Sequence, residues 1–249
     1  MTTTITDYTY GSAIQEICKL VGHTSIPTDP AGSSDPAIQQ MGSAIKIALD
    51  ELLTIMDWQD LTVRATISVV GDNPSQIEKG FALPSDFERF IDQSQWAGTQ
   101  QLPAGGPITN MDWMAYVIQT ASLKLSLYWQ MRGDQIFFLT PPFPTPSAFN
   151  YMYVSRAQVI ASNGTDFKNY PTANSDTFKL ASNLVMLLGR AKYLELKGFD
   201  ATGATRDYIT ALDSKISGNK GAQVLSLARR RVIPLLNPAS NLPNTGFGT

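Results

Sequence analysis

Histidine and cysteine each occur once, as His23 and Cys18. A zinc centre needs several His, Cys or carboxylate ligands converging on one point, and neither residue has clustered partners in the sequence. A Ser-His-Asp or Cys-His mechanism would have to run through His23, and no nucleophile motif lies beside it. No GxxxxGK[ST] phosphate loop is present, nor a GxGxxG turn after a strand. The remaining chemistry is that of paired carboxylates, Asp57/Asp60 and Asp86/Glu88. Two carboxylates suffice for glycoside hydrolysis. Yet Asp57 and Asp60 fall where a helix ends, and Asp86 follows Pro84-Ser85, where it caps a turn. No catalytic residue, metal or cofactor is therefore expected. Arg132-Gly133-Asp134 reads as a hairpin turn and Asn163-Gly164-Thr165 as a loop.

The elements around these residues follow from hydrophobic period. Ala13, Ile14, Ile17, Cys18 and Val21 form one helical face, closed by Gly22. Residues 23–36 read as a loop. Asp35 and Pro36 start a second helix, whose Ile38, Met41, Ile45, Leu49, Leu52, Leu53 and Met56 recur at three and four and which ends near Trp58. At residue 61 the period becomes two, with Val63, Ala65, Ile67 and Val69 alternating with polar residues. Leu123 to Met131 alternates again, Gly133-Asp134 turns the chain into Gln135–Leu139, and Phe149–Val154 makes a further strand. A short helix is expected between Pro107 and Ile118. Helical spacing returns near residue 176 with Phe178, Ala181, Leu184, Val185, Leu188, Ala191 and Leu194, capped by Gly198; Tyr208, Ile209, Leu212 and Ile216 mark another helix. The eight aromatic residues Trp96, Trp113, Trp129, Phe137, Phe138, Phe149, Tyr151 and Tyr153 gather in the β region and read as core.

The predicted fold class is α+β: a four-helix bundle of residues 1–60 and 161–222, an inserted antiparallel β-rich domain of 61–160, and an extended C-terminal tail of 223–249. After Arg231 no charged residue occurs, and three prolines and two glycines interrupt the chain. Such a tail is suited to inserting into a partner. Its candidate contact residues are Arg229, Arg230, Arg231, Ile233, Leu235, Leu236, Leu242 and Phe247.

Charged residues make up 16% of the 249 residues, against roughly 25% in ordinary soluble domains. A subunit that hides surface against neighbours has less need of charge. The net charge of −2 does not mark a nucleic-acid binder. Residues 1–60 carry eight acids and two bases, whereas residues 200–249 carry three acids and six bases. That asymmetry suits head-to-tail contacts between copies. One cysteine permits no intrachain disulfide, which fits synthesis in a reducing cytoplasm. No secretory leader and no membrane span is expected.

Several pieces together resemble the head-to-tail adaptors of short-tailed bacteriophages, the tail tubular protein A-like or portal-adaptor proteins. They are the helix Ile38–Met56 ending in Asp57-Trp58, the strand opening Leu61-Thr62-Val63, and the segment Phe81-Ala-Leu-Pro-Ser-Asp-Phe-Glu-Arg89, similar to a recurring LPSDF turn of that family. The hairpin at Gly133, the strand Phe149–Val154 and the helix from about Asp176 to Gly198 complete the match, over roughly residues 35–215. The loop 23–36 and the tail after Arg231 lie outside it. The resemblance implies a non-enzymatic virion subunit, made in the host cytoplasm, forming a homo-oligomeric ring, a dodecamer, beneath the portal. The ring would extend the DNA channel without sequence specificity, contact the portal protein through the C-terminal segment, and attach a tail tubular protein B-like nozzle, with fibres or spikes nearby. The alternatives are a virion-associated peptidoglycan hydrolase using the paired carboxylates, or another capsid or tail-tube subunit.

Overall fold

The computed structural model describes residues 8–69, 80–98, 101–118, 127–139 and 147–220. Residues up to Leu212 belong to one compact unit and those from Asp213 to a second.

Helix α1, Tyr10–Val21, starts at Thr9, whose hydroxyl accepts from the Ser12 amide at 3.3 Å. It ends at Gly22, whose φ of 76° lets the His23 amide reach the Cys18 carbonyl at 2.9 Å. A left-handed residue here satisfies carbonyls that the helix leaves open. Helix α2, Pro36–Ile55, is capped by Asp35, which accepts from the Ala37 amide at 2.8 Å. The expected face is buried, and small residues join it. A Cβ at Gly42 would stand 2.6 Å from the Tyr10 hydroxyl, so glycine is what lets α1 approach.

The 3-10 turn Gln59–Leu61 leads into β1, Thr62–Val69, which pairs antiparallel with β8, Ser147–Ser155, from Thr62↔Val154 to Val69↔Ser147. Between them come β2 (Phe81–Ala82), β3 (Phe87–Phe90), β4 (Trp96–Ala97), β5 (Leu102–Pro103), helix α3 (Asn110–Ile118), β6 (Tyr128–Arg132) and β7 (Gln135–Leu139). The opposite edge of β8 takes β3 and then β4, which hairpins with β5. A second sheet has the order β2-β7-β6, with Gly133 at φ 59° opening the two-residue β6–β7 turn. Phe149, Tyr151 and Tyr153, at period two on β8, meet Trp129 and Phe138 in an aromatic core. Trp96 alone of the expected core aromatics on β4 faces outward.

Three short strands then form a third antiparallel sheet in the order β10-β9-β11, namely β9 (Val159–Ile160), β10 (Phe167–Lys168) and β11 (Thr177–Phe178). Helix α4, Ser182–Lys197, and α5, Thr202–Lys220, follow. In the second unit α5 continues from Asp213, whose carbonyl accepts from the Ser217 hydroxyl.

The expected four-helix bundle does not form among the described residues. The fold of the described residues is mixed α and β, with five α-helices and three antiparallel sheets among them. α1, α2 and α4 share a core, but its remaining side is filled by Val154, Val159, Phe178 and Leu180 from strands and connections. The would-be fourth helix, α5, places Ala204 and Tyr208 inward while Ile209 is 49% exposed. Its apolar stripe is too thin to cover a bundle face. Phe178, expected on the helix, lies in β11, and α4 begins four residues later. No described helix is long and apolar enough to cross a membrane.

Candidate functional site

The segment Leu83–Arg89 ties together the large sheet, the β2-β7-β6 sheet and the end of α2. Upstream, Phe81 and Ala82 pair with Ile136 and Gln135. The Pro84 carbonyl then accepts from the Phe87 amide at 3.0 Å, closing a turn. That turn presents Asp86 to the end of β8. Its carboxylate accepts from the Tyr153 hydroxyl at 2.9 Å and the Ser155 hydroxyl at 2.6 Å, and its carbonyl accepts from the Arg156 amide at 2.7 Å. Burial, and then the bond to Asp86, push the Tyr153 hydroxyl far above its ordinary pKa.

A bulge between Phe87 and Arg89 shifts the β3–β8 register. Glu88 there accepts from Arg156 Nε at 2.5 Å. Phe87 and Phe90 pack on each other at 4.8 Å, and Phe90 stands 4.9 Å from Trp129 and 5.2 Å from Tyr151 between ring centroids. Arg89 spans to the helical core. Its Nη1 donates to the Leu53 carbonyl at 2.8 Å, Nη2 to the Met56 carbonyl at 3.0 Å, and Nε and Nη2 to Asp57 at 3.1 and 3.0 Å. A cation at the last carbonyls of a helix satisfies both the open acceptors and the macrodipole.

The paired carboxylates weighed for hydrolysis are therefore engaged: Asp57 with Arg89, Asp86 with Tyr153 and Ser155, Glu88 with Arg156. Asp60 sits in the 3-10 turn and is exposed. His23 Nδ1 lies 2.8 Å from the Ser25 carbonyl and Nε2 3.7 Å from Asp35. Cys18 is buried 3.5 Å from the Met41 sulfur, and burial, then the Asp35 charge, push its thiol pKa up. Among the described residues no three His, Cys, Asp or Glu side chains could hold a metal ion. Arg132 lies over the Trp113 and Phe137 rings, and Asn163 accepts from the amides of Thr165 and Asp166, so both tripeptides act as turns. The tail residues Arg229, Arg230, Arg231, Ile233, Leu235, Leu236, Leu242 and Phe247 lie outside the described residues.

Sequence reasoning missed a second set of polar ties. The Asp176 carboxylate is fully buried and accepts from the amides of Thr172 and Ala173 at 2.7 and 2.9 Å and from Lys168 at 3.3 Å. Burial opposes its charge, but those donors outweigh burial and hold its pKa below the usual carboxylate value. Tyr170 donates to Asp50 at 2.8 Å, and Lys192 of α4 pairs with Glu51 of α2 at 2.7 Å. Tyr170 and Asp50, like Lys192 and Glu51, lie far apart in sequence, whereas the Asp176 ties are local and its loop, with its Pro171-Thr-Ala-Asn-Ser composition, carries a turn signal.

Two clefts share the Glu88–Arg156 pair. One, of about 290 Å³, is lined by Leu83, Pro84, Ser85, Phe87, Met131 and Asp134. The other, of about 330 Å³, is lined by Asp50, Leu53, Thr54, Gln158, Asn169 and Tyr170. Among the exposed apolar side chains of the described residues are two local groups: Met111, 85% exposed, with Met114 and Val117 on α3, and Leu196, Phe199 and Ile209 where α4 gives way to α5. Taken together, Asp86, Glu88 and Arg89 make a polar joint between the sheets and the end of α2. The chain matches no known protein family and no curated protein.

Proposed function

We propose that the chain is a structural subunit of a short-tailed phage virion, a head-to-tail adaptor. Copies assemble as a ring beneath the portal, continue the DNA channel and carry the tail nozzle. The observation that carries this reading is the Phe81–Arg89 segment, whose sequence resembles the recurring turn of those adaptors. Asp86 and Arg89, two charged residues of that turn, bind Tyr153, Ser155 and the end of α2. The two exposed apolar patches support the reading as well, since contiguous apolar surface commonly marks contacts with other chains. The hydrolase alternative finds three of its four carboxylates already held by other side chains.

The test mixes the full chain with the portal of the same phage and images the product. A closed ring seated on the portal supports the proposal; a chain that stays monomeric and leaves the portal bare overturns it. Deleting residues 232–249 is expected to leave the melting temperature nearly unchanged and to weaken portal binding strongly. Truncated protein that binds portal as well as full-length would remove the docking role of Ile233, Leu235, Leu236, Leu242 and Phe247. Peptidoglycan hydrolysis abolished by Glu88→Gln would instead favour the enzyme.

A further inference from the structure

The outer edge of β1 is open among the described residues, and β8 shows which groups it presents. Met152 of β8 accepts from the Ile91 amide and donates to the Ser94 hydroxyl, and Ala148 accepts from the Gly98 amide, so these residues turn their backbone groups away from β1. Such residues alternate along an antiparallel ladder, so Phe149, Tyr151 and Tyr153 are the ones that bond Ile67, Ala65 and Val63. The N–H and C=O groups of Thr62, Arg64, Thr66 and Ser68 therefore point outward. The Thr62 amide donates to the Gln59 carbonyl, but no described strand pairs with the other three, and all three residues are exposed. Natural edges are blunted by short length, proline, bulges or charge. β5, at the other end of this sheet, has two residues, one of them Pro103. β1 has eight, with no proline, no break in register and one charge, Arg64.

We propose that this edge pairs antiparallel with the same edge of a second copy of the chain, about a two-fold axis at Thr66. Arg64, Thr66 and Ser68 of one copy then face Ser68, Thr66 and Arg64 of the other, and each facing pair exchanges two backbone hydrogen bonds. The side chains suit that register. Opposite residues share a face, so Val63 meets Val69 and Ala65 meets Ile67. Val63, Ala65 and Ile67 are half-buried against the aromatic core, and a second β1 would extend the apolar face they form. Each arginine faces a serine. Centring the pair on Arg64 would instead set two like charges opposite each other. Centring it on Ala65 would call on the Thr62 amide, which already donates to Gln59. A two-fold contact closes on itself and cannot propagate a ring, so it belongs to the free chain and does not rest on the adaptor reading.

Sedimentation equilibrium of the full chain is expected to show a reversible species of twice the chain mass. Thr66→Pro should weaken that association on the order of tenfold or more, since it removes the central N–H from both strands. The fold, followed by circular dichroism, should be kept, because the Thr66 amide points out of the sheet and proline is tolerated on an open edge. Charge reads the register. Ser68→Glu sets a carboxylate opposite each Arg64 and should tighten the dimer about 2- to 30-fold over its two symmetric pairs, whereas Ser68→Lys should loosen it by a similar factor. Ser68 is exposed, so neither change enters the core. A chain that stays monomeric at near-millimolar concentration, a folded Thr66→Pro variant that associates like wild type, or Ser68→Glu and Ser68→Lys shifting the association alike would each overturn the pairing.

Discussion

Replacing Asp86 with alanine is expected to destabilise the protein through the groups it leaves behind more than through the bonds it removes. Tyr153 is 4% exposed and Ser155 is 0% exposed, so without the carboxylate neither hydroxyl finds water. Each orphaned donor costs about 1–3 kcal/mol, giving roughly 2–6 kcal/mol in all. For a domain of this size that is a fall of about 4–24 °C at 2–4 °C per kcal/mol. The argument has a sharper consequence in the second substitution. Tyr153→Phe in the wild-type background breaks a 2.9 Å bond to a carboxylate and should cost about 1–2 kcal/mol. In the Asp86→Ala background the same change removes a buried hydroxyl with no acceptor, so it should be neutral or stabilising. Urea unfolding of the four proteins, followed by circular dichroism at constant m-value, yields the coupling directly. A coupling of about 1–2 kcal/mol is expected. If Tyr153→Phe costs the same in both backgrounds, to within about 0.5 kcal/mol, Asp86 does not hold the joint and the reasoning fails.

Tyr208 provides a test at high pH. Burial, then the charge of Glu51, push its hydroxyl up to about 12, and that oxygen has no partner among the described residues. Above pH 10 the unfolded chain gives up this proton while the folded chain keeps it, so stability should fall by about 1.4 kcal/mol per pH unit for this group. Tyr208→Phe should flatten that slope and raise stability by about 1 kcal/mol at pH 7, read by urea midpoints at pH 7, 10 and 11; an unchanged slope counts against it. Asp176 works in the opposite direction: its depressed pKa contributes stability that is present above pH 4 and lost as pH falls through the folded value. Asp176→Ala should cost about 3–5 kcal/mol, because it strands two amides and Lys168, and thermal melts between pH 2 and 7 should show a shallower acid slope than wild type.

Local signals were legible where a helix or a hairpin satisfies itself within a few residues. Asp35-Pro36, Gly22, Gly198 and Gly133 each occupy the cap or turn that their chemistry predicts. The period-two run of β1 pairs along its length with β8, the strand in which Phe149–Val154 was expected. What failed was the step from stripes to partners. Two helix pairs with apolar faces suggested that they cover one another, but a stripe states only that something apolar lies opposite. β9, β10 and β11 are two residues long, too short to show alternation, and yet Val159 and Phe178 supply part of what a fourth helix would have supplied.

The same limit governs the polar residues, and it explains why the Phe81–Arg89 segment could be singled out in the sequence before its work was visible. Pro84-Ser85-Asp86 announces a turn locally. That Asp86 answers to Tyr153 and Ser155, 67 and 69 residues away, is a property of the folded sheet. Arg89 illustrates the point from the other side. Helix α2 ends with no basic residue in its last turn and no side-chain cap of its own. A helix with that deficit needs a cation from elsewhere, and Arg89 arrives from a strand 33 to 36 residues on. The missing cap was readable at Ile55; its supplier was not. The β3 bulge turns neighbouring Glu88 to Arg156 while Arg89 reaches α2, so one short segment bonds in two directions and couples the helical core to the sheet.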